Sequence, residues 1–160
     1  MASQNHLMNR KELLIRQNEG RREIESYVSQ LSSILDTAIL KTDFIDLEST
    51  DELKLKFYES YKASSKSFNK IYTAEDVLSN DIETLKHQFQ EREAYLITKL
   101  SEICGAVKVP AIRAIDNYKS IIELDGDSLN LILTDDKTCF YIDYYEEDGN
   151  FFYELSIWNM

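Results

Sequence analysis

Three turn signals constrain this chain more than anything else in it. Asp125-Gly126-Asp127-Ser128, Asp135-Asp136-Lys137 and Glu147-Asp148-Gly149-Asn150 divide residues 118–158 into four runs rich in Ile, Leu, Phe and Tyr. Asp-Gly between strand-forming runs is a strong hairpin signal, because both central residues of a tight two-residue turn take positive φ. The expectation is a four-stranded antiparallel meander over residues 118–160. With two-residue loops, counting outwards pairs Leu124 with Leu129 and Ile122 with Leu131. It pairs Leu131 with Phe140 and Leu129 with Ile142 in the second hairpin. In the third, Ile142 faces Leu155, Tyr144 faces Tyr153 and Phe140 faces Ile157. The same residues fall on one face in all three hairpins, as a period of two requires.

The opposite face interleaves aromatic rings with carboxylates and carries no Lys or Arg. Its candidate partner-binding residues are Glu123, Tyr141, Asp143, Tyr145, Phe152, Glu154 and Trp158. Two readings stand level. Helices cover part of this face and leave the acids at its rim, or the face is a recognition surface, where Tyr and Trp offer large, stiff, amphipathic area. In the two-residue register Asp143 faces Glu154, a like-charge pair that costs stability and invites a cation from outside.

Charge sharpens the second reading. The chain has a formal net charge of -11. Residues 116–160 hold eleven acidic residues and two Lys, which leaves 18 acidic and 16 basic residues in the other 115. The last 45 residues thus carry -9 and the rest -2. That balance excludes a general nucleic-acid binder, which needs a basic footprint, and points to a cationic partner or to simple solubility.

Upstream, polar residues 1–9 are expected to fray, and residues 10–104 to form a bundle of three helices, two of them long and coiled-coil-like. The first would run from about Arg10 to Leu40 on a seam of Leu14, Gln17, Arg21, Ile24, Val28, Leu31, Leu35 and Ala38. The second would open at a capping box, Ser49-Thr50-Asp51-Glu52, and carry Leu53, Phe57, Tyr61 and Phe68, with Ile71 and Tyr72 near its end. The third would run from Ala74 to about Cys104, through Leu78, Ile82, Leu85, Phe89, Arg92, Leu96, Leu100 and Ile103, to a stop at Gly105. Residues 105–117, with Pro110, would connect the bundle to the sheet. The fold class is α+β.

Chemistry is sparse. His6 and His87 have no ligand-spaced neighbours, so a zinc site is not indicated. Four scattered glycines make no phosphate-cradling loop, and no strained nucleophile turn is present. The acids of the turns do not match a twelve-residue calcium loop. No cofactor is implied, and an enzyme is the least supported class. Cys104 and Cys139 read as small buried hydrophobes in a reducing compartment. The chain has no apolar leader or spanning run, which points to the cytoplasm or to a secretion route that leaves no such signal.

The favoured function is a non-enzymatic protein-binding protein, an acidic inhibitor or immunity-type protein. It would block a basic partner, such as a nucleic-acid-acting enzyme or toxin, through the acidic-aromatic face. The alternative is a structural assembly subunit that forms a homodimer or coiled coil through its long helices. Direct nucleic-acid and membrane binding are not expected.

Overall fold

The computed structural model describes residues 2–160, with side chains from Arg10 onward. In chain order the elements are α1 (Ala2–Leu35), α2 (Leu47–Ala63), β1 (Lys66–Tyr72), α3 (Glu75–Leu85), β2 (Glu93–Ile97), α4 (Ser101–Cys104), β3 (Val107–Pro110), α5 (Ala111–Asp116), α6 (Tyr118–Asp125), β4 (Ser128–Leu133), β5 (Thr138–Glu147) and β6 (Asn150–Asn159). Among the described residues six strands make one antiparallel sheet, ordered β1-β6-β5-β4-β2-β3. The fold is α+β with an antiparallel sheet, but the sheet has six strands where four are expected.

The three C-terminal strands follow the expected register. Leu131 pairs with Phe140 and Leu129 with Ile142, while Ile142 pairs with Leu155, Tyr144 with Tyr153 and Phe140 with Ile157. Asp148 and Gly149 both take positive φ, 51° and 77°. That is the mirror-image turn whose twist matches a hairpin.

The first expected strand is instead the helix α6. Tyr118, Ile121 and Ile122 are buried at spacings of three and one, so the segment also carries a helical stripe, and the helical period wins. Gly126, with φ 109°, ends that helix in the left-handed region, the role glycine commonly fills after a last helical turn. The expected Leu124–Leu129 and Ile122–Leu131 pairs therefore do not form.

The three-helix bundle is also corrected. α2 stops at Ala63, and Phe68 and Tyr72 belong to the edge strand β1 rather than to a continuing helix. α3 stops at Leu85, and after a short 3-10 turn the chain re-enters the sheet as β2 and β3. Glu91 sits at the break with φ 56°, a left-handed turn made without glycine. Asp46, not Ser49, caps α2, accepting bonds from the Ser49 amide at 2.7 Å and hydroxyl at 2.9 Å. α1 begins at Ala2, within the stretch expected to fray; Met1 and the side chains up to Asn9 lie outside the described residues.

Each face of the sheet has its own core. On one, Leu131, Phe140, Ile142 and Leu155 pack with Leu78 and Ile82 of α3, Tyr27, Leu31 and Leu35 of α1, and Ile115, Ile121 and Ile122 of α5 and α6. On the other, α2 places Leu53, Phe57 and Tyr61 over Ile97, Ile132, Cys139, Tyr141 and Trp158. α1 is anchored where Arg16 makes a fork to Asp51, 2.8 Å on both branches, and reaches the Glu102 carbonyl at 2.7 Å. Just before that anchor Leu14 and Ile15 stand 53% and 50% exposed. Among the described residues no helix is long and apolar enough to cross a membrane.

Candidate functional site

β5 and β6 outrun their neighbours. β4 pairs with β5 only as far as Asp143, opposite Ser128. β1 pairs with β6 only as far as Tyr153, opposite Tyr72. The last three rungs, Tyr145–Phe152, Glu146–Phe151 and Glu147–Asn150, therefore form a two-stranded ribbon of about 10 Å with no strand beside it. Aromatic rings brace it on both faces. Tyr145 stacks on Phe152 at 5.4 Å between centroids and 22° between planes, and Tyr144 stacks on Phe151 at 5.6 Å and 8°.

The seven residues singled out in the sequence are divided by this arrangement. Trp158 is 1% exposed and lies under α2, its indole N–H donating to the Ser60 hydroxyl at 2.9 Å. Its ring packs on Phe57 and Tyr61 at 5.1 and 5.4 Å, so it is core. Glu123 is exposed on α6, a helix that packs on the opposite face of the sheet, so it lies apart from the others. Tyr141 is half-buried at the edge of the α2 cluster, 5.4 Å from Tyr61. Asp143, Tyr145, Phe152 and Glu154 stay together, half-exposed, on two successive rungs of one face. Sequence reading misses Tyr61 and Asn69, which come to this site from α2 and β1.

Asp143 does face Glu154, and part of the repulsion is relieved within the chain. Glu154 Oε1 accepts from the Tyr61 hydroxyl at 2.8 Å, Asn69 Nδ2 at 3.1 Å and the Ser156 hydroxyl at 3.0 Å. These neutral donors settle Glu154 but leave Asp143 exposed to its neighbours. Burial, then the charges of Asp127 and Glu154, push the Asp143 carboxyl above its ordinary range, against a contact from the Tyr141 hydroxyl. The Tyr61 phenol is raised to about 12 by burial and by its bond to Glu154. Among the described residues neither Asp143, Glu154 nor the tip acids Glu146, Glu147 and Asp148 pair with Lys or Arg. The chain's ion pairs lie elsewhere, as in Arg92 with Asp135 and Asp136 and Lys70 with Asp81.

The raised carboxyl has a measurable consequence. A carboxyl that holds its proton more tightly when folded costs stability at neutral pH, and the cost vanishes once it is protonated in both states. Asp143→Asn should therefore raise stability at pH 7 by roughly 0.2–1 kcal/mol, the scale of a cross-strand pair. That advantage should fade towards pH 4, near the ordinary aspartate range. Urea unfolding of both proteins at the two pH values checks this; a variant less stable at pH 7 would contradict it.

A polar cleft of about 450 Å³ lies at the α2 end of β2 and β4, lined by Lys54, Thr98, Lys99, Asp125, Ser128 and Asn130 among others. Several of its polar groups are bonded within the chain. Asp125 accepts from the Lys99 and Ser128 amides at 2.7 and 3.2 Å, Asn130 donates to the Ser128 hydroxyl at 3.0 Å, and Lys54 pairs with Glu102. Among the described residues no group of three or more His, Cys, Asp or Glu could hold a metal ion. His87 is exposed, and the His6 side chain lies outside the described residues. Burial raises the thiols of Cys104 and Cys139 to about 11 and 12, so both are poor nucleophiles. The chain matches no protein-family model, no curated protein and no solved structure.

Proposed function

We propose that the protein works by binding another protein, with the overhanging β5–β6 ribbon as the contact and a basic surface as its target. The observation that carries this is the state of the ribbon. It projects past the sheet, carries aromatic pairs on both faces, and holds Glu146, Glu147 and Asp148, with Asp143 and Glu154 at its root between β4 and β1, and none of the five pairs with Lys or Arg among the described residues. Carboxylates at such density raise the on-rate towards a basic partner and reject acidic ones, while the rings supply desolvated contact area. The concrete form is an acidic inhibitor or immunity-type protein that occupies the cleft of a nucleic-acid-acting enzyme or toxin. No catalytic step is assigned to it.

A second reading rests on α1. Leu14 and Ile15 are exposed on a helix that runs on past its anchor at Arg16, which suits pairing with another helix in an assembly. Light scattering separates the two: a monomer favours the ribbon, and a stable elongated dimer favours α1.

The direct test is to retrieve the partner and measure its affinity at low and high salt for wild type, Asp143→Asn and Glu154→Gln. Asp143→Asn should weaken binding by about 2 kcal/mol or more, roughly 30-fold, if the charge is desolvated in the complex. Raising salt should slow association steeply. Salt-insensitive binding with both substitutions silent would overturn the ribbon reading and pass the function to the helices.

A further inference from the structure

Asp143 and Glu154 sit at the root of the ribbon beside its aromatic stack. Resting on the protein-binding reading above, we propose that the group the ribbon takes from its partner is an arginine side chain. Asp143 and Glu154 form one rung, and the next rung on the same face, about 7 Å along the strands, is the Tyr145–Phe152 stack. A cation bound to the carboxylates therefore lies against an aromatic wall.

Two features of that wall favour a guanidinium over an ammonium. A planar, weakly hydrated guanidinium stacks on a ring while its fork of N–H groups reaches carboxylates at its edge; an ammonium is a compact, strongly hydrated point charge. The acceptors suit a fork as well. All three donors to Glu154 converge on Oε1, so Oε2 and the Asp143 carboxylate offer separate acceptors on facing strands. One guanidinium can bridge them with two N–H groups. A divalent metal ion fits less well, because no suitable cluster of three ligands exists among the described residues and Oε1 is already filled with neutral donors.

The chain's own arginines do not supply this group: Arg16 is held by Asp51, Arg92 by Asp135 and Asp136, and Arg113 lies near Asp36. The exposed Arg10, Arg21 and Arg22 of a second copy remain the rival source, and the test addresses it.

The 160-residue protein is titrated into fluorescein-labelled octa-arginine and octa-lysine peptides in moderate salt, followed by anisotropy. Wild type should bind the arginine peptide about 10-fold more tightly than the lysine peptide. Asp143→Asn should weaken the arginine peptide about 10-fold, and Phe152→Ser should remove most of the preference; unfolding curves check that both variants stay folded. Equal affinity for the two peptides, or a preference unchanged in Phe152→Ser, would overturn the assignment. So would a salt-labile wild-type dimer that Asp143→Asn abolishes, since the cation would then come from a second copy. If the peptides bind alike while Asp143→Asn still releases the partner, the arginine inference fails and the protein-binding reading stands. If the partner ignores Asp143→Asn and Glu154→Gln, that reading fails whatever the peptides do.

Discussion

Phe140→Ala should destabilise the protein by about 3–5 kcal/mol, the cost of removing a fully buried aromatic side chain and leaving its cavity. Phe140 is 0% exposed. It sits on the central strand β5, paired with Leu131 on one side and Ile157 on the other. Phe89 meets it edge-on at 5.2 Å and 78°, the arrangement in which the positive edge of one ring faces the negative face of the other. Neighbours from two strands and from the turn that carries Phe89 leave little room for collapse into the void. Urea unfolding measures the loss. A change under about 1 kcal/mol, within the scatter of surface substitutions, would mean that this face of the sheet is not the core.

Gly105→Ala should be of similar severity, about 3 kcal/mol or more, from overpacking added to backbone strain. Gly105 follows α4 with φ 90° and ψ 164°, a region essentially reserved for glycine. A Cβ there would lie 2.1 Å from the Ile45 carbonyl oxygen, a backbone atom that cannot swing aside. The same crossing is tied on both sides, by the Ile45 amide to the Ala106 carbonyl at 2.9 Å and the Ala106 amide to the Thr50 hydroxyl at 2.8 Å. It fixes the start of α2 against β3, so a forced shift would loosen the helix covering Trp158. Gly126→Ala is the control. Its φ is 109° but nothing lies within 4 Å of the added carbon, so only the strain remains, about 1–2 kcal/mol. Equal losses for the two variants would show that the close approach at Gly105 does not matter.

How far the sequence discloses this fold depends on how each break is encoded. The β4–β5–β6 register is legible because the Asp-Gly and Asp-Asp turns set the pairing by counting outwards, and one residue of slip would exchange the side chains of the two faces. β1 and β2 are not legible. The break before β1 is Ser64-Ser65 and the one before β2 is Glu91 at positive φ, and neither is a strong punctuator. Phe57, Tyr61 and Phe68 also happen to be spaced like one helical stripe, which hides the end of α2. At Asp125-Gly126 the signal is real but ambiguous, since a left-handed glycine serves a hairpin and a helix end equally well. The sidedness of Asp143, Tyr145, Phe152 and Glu154 follows from the period of two. What covers Trp158 and Tyr141 does not follow, because it depends on where α2 docks. Nor could sequence alone place Tyr61 and Asn69 on Glu154, whose donors come from 93 and 85 residues away.

We propose that the ribbon, not α1, meets the partner. Amide hydrogen exchange with and without that partner tests it residue by residue, since amides closed off by a contact exchange more slowly. Protection is expected across Asp143–Glu154, strongest on the Tyr145–Phe152 and Glu146–Phe151 rungs, with residues 10–24 of α1 unchanged. Protection confined to residues 10–24, with the ribbon exchanging as it does in the free protein, would contradict the account.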